Sequence, residues 1–354
     1  MRPICQTNWK IIRSSLIWCI IWSGTFSLNA AEVQLQFSTY YDSNVRESPT
    51  STDSTFGLTV RGRLSEVLRL SRASLRGEIF AHTYFDAHDM YENKVIFNGD
   101  LGLRYSLSNT LQLRGQFQYF LKSFLHTTGS YEWTLYSTTL QYSHHSGYAV
   151  WLSYLHRSKI LEGVNQYRFV EESLDLNHQY HFNTRWLLEG SLLLSDLTHT
   201  DFDALDVNQD TILISMGIPQ KDRGFGGLVH LRYRGRAIIG SRIGVRTIRS
   251  NSAIGDYNLR LFQVYLSGNL GQSTYYHIIY RLVNKDYRYP QLEGMSWYRD
   301  PEEHDQNLTH LRLEHMLSDN GIIYLQISFL RNETILNHQY YNKTMIEIGL
   351  KYDL

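Results

Sequence analysis

The residues best suited to chemistry in this chain are arginines. From Arg223 to Gly255 there are seven of them and no Asp or Glu. Arg232, Arg234, Arg236, Arg242 and Arg246 share one parity with His230, while Val229, Leu231, Tyr233, Ile239, Ile243 and Val245 share the other. An extended chain sends alternate side chains to opposite faces, so the five arginines line a wet wall backed by an apolar one. Arg104 and Arg114 occupy the polar face of two further alternating segments. An unpaired row of cations in a polar lumen attracts anions. The alternative is that the arginines pair with acids of neighbouring strands, Glu189 or Asp210 for instance, and merely fill the interior. Both readings stand at this point.

Other candidates carry less. His144, His145, Ser146 and Gly147 faintly resemble the His and Ser of outer-membrane lipid hydrolases, in which a His base activates a serine. No Asn follows Ser146, and the stretch reads as a turn at the wrong end for an outer-leaflet lipid. Asp201, Asp203, Asp206, Asn208 and Asp210 cluster hard oxygen donors, yet Thr211 and Gly217 stand where an EF-hand needs Gly and Glu. This reads as a solvated acidic loop, bridged to lipopolysaccharide phosphates through divalent ions. The fifteen histidines make no His-Glu-x-x-His pairing. No cofactor or metal is implied, and the chain is expected not to be an enzyme.

The elements that must hold these residues are strands. Leu111, Leu113, Gly115, Phe117, Tyr119 and Leu121 alternate with Gln112, Arg114, Gln116, Gln118, Phe120 and Lys122. In the segment before, Val95, Phe97, Leu101, Leu103, Tyr105 and Leu107 oppose Asn98, Asp100, Arg104 and Ser106, with only Ser108 and Asn109 between the two runs. They form a hairpin. Similar runs are Val33 to Asp42, Thr55 to Leu64, Ala73 to Phe85, Tyr148 to Arg157, Tyr275 to Leu282 and Gly321 to Leu330; Glu132 to Tyr142 and Phe169 to Phe182 alternate less cleanly. A hydrocarbon-spanning sheet must be closed and needs about 9 to 11 residues per strand.

Connections fall into two classes. Brief turns lie near Ser108, Ser146, Asn183, Gly271 and Asp319, and longer polar stretches run Ser43 to Ser54, Asp86 to Asn93, Thr198 to Gln209, Tyr287 to His304 and Asn332 to Gln339. Transmembrane barrels have short periplasmic turns and long outer loops. Pro49, Pro219, Pro290 and Pro301 are all expected outside strands, where no ladder donor is lost. Val229 to Thr247 is expected to run as one long strand, giving about 16 strands within a range of 14 to 18; a hairpin near Ala237 would give an odd count. Aromatics including Tyr40, Tyr41, Tyr84, Tyr105, Tyr119, Tyr131, Trp133, Trp151, Trp186, Tyr275 and Tyr276 are expected in interface girdles, with sugar stacking as the other use of some tyrosines.

Residues 1–30 form a separate unit. Arg2, Lys10 and Arg13 precede the apolar run Leu16 to Trp22, and Ala30 and Ala31 follow. This order predicts a cleaved secretory signal, too short in its apolar core to span as a helix. Both cysteines, Cys5 and Cys19, fall inside it, so the remainder has no thiol chemistry. Losing Arg2, Lys10 and Arg13 takes the 34 basic residues to 31, against 34 acidic. Nothing in that balance favours nucleic acid.

Tyr40-Tyr41-Asp42-Ser43-Asn44-Val45 resembles the opening of porin-like barrels and of the barrels of surface-lipoprotein export factors. The last strand, Thr344 to Leu354, resembles the C-terminal recognition signal of outer-membrane proteins, ending on Leu354 rather than Phe or Trp. These resemblances imply a bacterial outer-membrane protein of the Gram-negative type. The expectation is an all-β, single-domain transmembrane antiparallel barrel over residues 31–354. It is expected to act as a porin-like channel for small hydrophilic, anionic solutes. The alternatives are an export or assembly barrel for a polysaccharide or surface protein and, last, a lipid-modifying enzyme. Expected partners are outer-membrane lipids, lipopolysaccharide, the barrel-insertion machinery and the solutes, with no nucleic acid.

Overall fold

The structure, a computed structural model, describes residues 31–44, 53–87, 93–126, 130–161, 167–207, 213–253, 255–288, 307–331 and 342–354. Residues 1–30, expected to be a signal, and Pro49, Pro290 and Pro301 lie outside them. Sixteen strands follow in order: β1 (Glu32–Asp42), β2 (Thr55–Arg69), β3 (Ala73–Asp86), β4 (Lys94–Ser106), β5 (Leu111–Phe124), β6 (Tyr131–Ser143), β7 (Tyr148–Leu161) and β8 (Tyr167–His181). The second half comprises β9 (Trp186–Val207), β10 (Leu213–Arg234), β11 (Ala237–Ser250), β12 (Tyr257–Asn269), β13 (Thr274–Tyr287), β14 (Asn307–Met316), β15 (Gly321–Arg331) and β16 (Asn342–Asp353). Each pairs antiparallel with its sequence neighbours, and β16 pairs with β1, which closes the barrel.

Register shows which parity faces out. Phe37, Leu58, Val60, Leu103, Leu113, Leu140, Leu152, Leu192, Ile243, Val245 and Ile348 are all exposed on the outer wall, far more apolar surface than a soluble protein leaves open. Tyr105, Tyr142, Tyr148, Tyr180, Trp186 and Tyr233 lie on the same outer face next to the short-turn end. Trp186 and Tyr233 meet at 4.9 Å between ring centroids. This is the interfacial girdle expected for one rim.

Several expectations need correction. Val229 to Thr247 is not one strand but a hairpin, turning at Gly235-Arg236 between β10 and β11. The count stays at sixteen because the chain from Leu213 to Arg234 is itself one 22-residue strand. The β10–β11 register pairs Arg234 with Ile238, so partners are an even number of positions apart and parity is preserved; the inward and outward faces come out as expected, with Arg236 alone displaced into the turn. Thr198 to Val207 is not loop but the outer part of the 22-residue β9, which pairs beyond the apolar belt with β10. Pro219 lies inside β10, not outside a strand. It sits where the β9–β10 register shifts, so its missing N–H removes no regular ladder bond. Tyr40, Tyr84, Tyr131, Trp133, Trp151 and Tyr275 share parity with lumenal residues and are not girdle members.

The seam between first and last strands is locked from inside. Glu347 of β16, 5% exposed, accepts hydrogen bonds from Ser38 Oγ and Tyr324 Oη, each at 2.6 Å, and pairs with Arg61 at 3.2 Å. Gln36 donates to Tyr324 Oη at 2.5 Å, Ser38 and Thr59 hydroxyls meet at 2.6 Å, and Arg61 Nε donates to His82 Nε2 at 2.9 Å. Tyr324 can lie flat because Gly349 opposes it; a Cβ there would be 2.4 Å from the tyrosine oxygen. Replacing Glu347 by Ala strands these donors, and removing one partner of a buried ion pair typically costs roughly 3–5 kcal/mol. The E347A barrel should unfold at clearly lower urea than the parent, read by heat-modifiable migration; an unchanged midpoint would refute the locking role.

Candidate functional site

The lumenal wall of β9–β12 is built in cross-strand rows. Leu187, Arg232, Gly240 and Tyr265 form one row; Glu189, His230, Arg242 and Gln263 form the next. Gly240 has a specific task. A Cβ there would lie 2.2 Å from the Tyr265 ring, so the missing side chain lets Tyr265 cross from β12 over β11 towards β10. Its hydroxyl meets His230 Nε2 at 2.9 Å, and His230 Nδ1 is hydrogen-bonded to Glu189. Both ring nitrogens are thereby engaged and Glu189 is committed to His230, not to an arginine. Asp210, the other expected neutraliser, lies outside the described residues.

The sequence-predicted arginines separate by environment. Arg246 is neutralised: it donates to Ser195 Oγ at 2.8 Å and lies 3.7 Å from Glu171, which also pairs with Arg157 at 2.9 Å. Arg223 and Arg249 leave the lumenal set, pairing with Asp196 and Asp256. Arg234 and Arg236 border a recess of about 570 Å³ at the short-turn end, shared with His277, Arg312 and Glu314. Glu314 is held there by Arg312 at 2.7 Å. On the opposite wall Arg104 of β4 faces Arg114 of β5 directly. The acids beside them are taken: Asp100 by the amides of Gln116 and Gln118 at 2.5 and 2.6 Å, Glu78 by Arg63 and Arg76 at 2.8 and 2.6 Å. Among the described residues no carboxylate pairs with Arg104, Arg114, Arg232, Arg234, Arg236 or Arg242.

A second lumenal feature was not anticipated. Towards the outer end, lysines and aromatic rings interleave around the wall from β3 to β8: Lys94 lies 4.8 Å from the Tyr84 ring, Lys122 5.5 Å and Lys159 4.6 Å from Tyr131, and Lys159 5.8 Å from Phe169. Phe120 and Trp133 stack within 6° of parallel. Cation–π contact suits lysines held at such low exposure, 3% for Lys122 and 2% for Lys159. The signal was the shared parity of Lys122 with Phe120 and Phe124.

The remaining candidates are local structure. His144 Nδ1 and Ser146 Oγ do meet, at 2.7 Å, but the Ser146 amide also points to the same nitrogen and Gly147 follows at φ +83°, so the pair shapes the short β6–β7 turn. Asp203 accepts from Ser215 Oγ at 2.7 Å across the β9–β10 ladder. Asn208 and Asp210 lie outside the described residues, and among the described residues no three His, Cys, Asp or Glu groups converge as metal ligands.

No family model matches the chain, and no curated protein matches it in sequence. Solved structures do. The chain is similar to OccAB3 of Acinetobacter baumannii at 9% identity and a TM-score of 0.50, covering 92% of this chain and 99% of that one. It also matches an anion-selective porin from Comamonas acidovorans at 13% identity, TM-score 0.49, over 92% and 99% of the two chains. OmpT, an outer-membrane protein of Vibrio cholerae, matches at 11% and 0.48 over 92% and 97%. These likenesses concern the fold. The chain folds as a closed antiparallel β-barrel of sixteen strands, an architecture similar to that of outer-membrane porins and channels.

Two glycine substitutions test the wall. Gly240→Val drives Tyr265 off His230 and should cost about 1–3 kcal/mol, the usual range for overpacking. Gly115→Ala, with nothing within 4 Å of the added carbon, should be neutral or stabilise by about 0.5–1 kcal/mol. Denaturation midpoints check both, and equal shifts in the two variants would contradict the strut.

Proposed function

We propose that this barrel is a porin-like outer-membrane channel for small hydrophilic solutes, with a preference for anions. One observation carries the reading: among the described residues most lumenal acids are held by a cation or a histidine, Asp100 with its two amides and Asp175 with one unmatched oxygen being exceptions, while Arg104, Arg114, Arg232, Arg234, Arg236 and Arg242 have no carboxylate partner. Paired lumenal charges tune little, since their fields cancel at short range; unpaired ones set the potential that a permeating ion meets. A sixteen-stranded barrel is wide enough to enclose water between its walls. In this proposal residues 1–30 are removed as an export signal. The C-terminal strand β16 is read by the barrel-insertion machinery, and the apolar belt sits among outer-membrane lipids and lipopolysaccharide.

Planar-bilayer recording of the purified barrel tests the proposal. Stable, solute-permeable conductance with an anion-leaning reversal potential is expected. A barrel that stays closed unless a periplasmic partner is added would overturn it. Neutralising Arg232, Arg234 and Arg242 together should lower the anion-to-cation permeability ratio roughly seven-fold, because removing about one kT of local potential acts on the anion and the cation in opposite directions. Unchanged reversal potentials would retire the arginine wall as the selective element.

A further inference from the structure

Arg104 and Arg114 form the least expected charge arrangement in the lumen. They are direct cross-strand partners on one face, where side chains stand only about 5 Å apart at Cβ and like charges destabilise the sheet. Fully hydrated guanidinium groups would soften that repulsion, yet Arg114 Nε is buried without a hydrogen-bond acceptor. A buried donor of a charged group left unmatched is among the costlier states in a protein. The nearest carboxylate on β4, Asp100, is turned to two glutamine amides rather than to either arginine. Flanking positions in the same row are hydroxyls, Ser74 on β3 and Thr139 on β6. One step up the wall Gly102 leaves the space beside Arg104 open, since a Cβ there meets nothing closer than 4.0 Å.

We infer that Arg104 and Arg114 constitute a fixed binding station for an oxyanion with two or more terminal oxygens, a phosphate or carboxylate, which bridges the two guanidinium groups. Guanidinium forks match such anions through paired N–H···O bonds, with a separate oxygen for each N–H, a geometric match that a single spherical halide does not offer. An anion seated there turns the repulsive pair into a bridged one and supplies the acceptor that Arg114 Nε lacks. The station rests on the channel reading for its physiological meaning, because it lies on the permeation wall, but its chemistry is independent of whether the barrel conducts.

The test is equilibrium binding of inorganic phosphate to the folded, detergent-solubilised barrel, followed by phosphorus NMR line broadening and by thermal melting at low salt. Phosphate is expected to bind the parent barrel saturably and raise its melting temperature. Arg104→Gln with Arg114→Gln should weaken binding about ten-fold or more, a loss typical of two charge-assisted contacts, and abolish the thermal gain. Heat-modifiable migration verifies that this variant folds. The double lysine variant, R104K with R114K, keeps both charges and loses the forks; it should bind several-fold more weakly than the parent. Phosphate binding unchanged in either variant, or absent in the parent, would overturn the station. A barrel that conducts anions but fails these tests sinks the station and leaves the channel standing. One that binds phosphate through these arginines yet never conducts sinks the channel and leaves the station.

Discussion

Everything in this molecule follows from the cost of an unpaired backbone amide in hydrocarbon. Each such group costs several kcal/mol where no water can reach it, so a chain that crosses on strands must close its sheet. Closure explains the pairing of β1 with β16 and the buried lock around Glu347 that holds the two ends of the chain together. It also explains why the chain alternates so strictly: once the sheet is closed, every strand has one face in lipid and one in the lumen, and a slip of one residue would exchange them.

The lumenal face is where that constraint leaves freedom, and the chain uses it unevenly. Around Glu347 and Glu189 the charges and hydroxyls saturate one another, and those regions stiffen the wall. Around Arg104–Arg114 and Arg232–Arg242 they do not. Two glycines on the inner wall divide the roles: Gly240 gives up its volume so that Tyr265 can tie β12 to β10, and Gly102 gives up its volume to open space.

Much of the barrel was legible from parity alone. The outward set Leu111, Leu113 and Phe117 and the inward set Arg104, Arg114 and Gln118 came out as the alternation predicts, and so did the short turns near Ser108, Ser146, Asn183, Gly271 and Asp319. What failed were features that parity does not encode. A turn centred on Arg236 that pairs Arg234 with Ile238 leaves alternation unbroken, so a hairpin and a single strand look the same. Pro219 argues against a strand only if the ladder is regular there, and a register shift removes the argument. On β6, Tyr131, Trp133 and Leu135 look like a lipid stripe until they are followed to Ser137, Thr139 and Gln141, which share their face.

The site was less legible than the fold for a related reason. Candidate arginines can be read from spacing, but selectivity depends on which of them are left unpaired, and that is settled by contacts distant in sequence. Glu189 looked free to neutralise an arginine; it is instead taken by His230, 41 residues away, which Tyr265 holds from the other side. Arg246 looked equivalent to Arg242 and is quenched by Glu171 and Ser195, brought alongside only because β8, β9, β10 and β11 are consecutive staves. A charge count along one strand therefore overstates the cations available to a solute. The surplus that matters emerges only when each acid has been assigned its partner in the closed sheet.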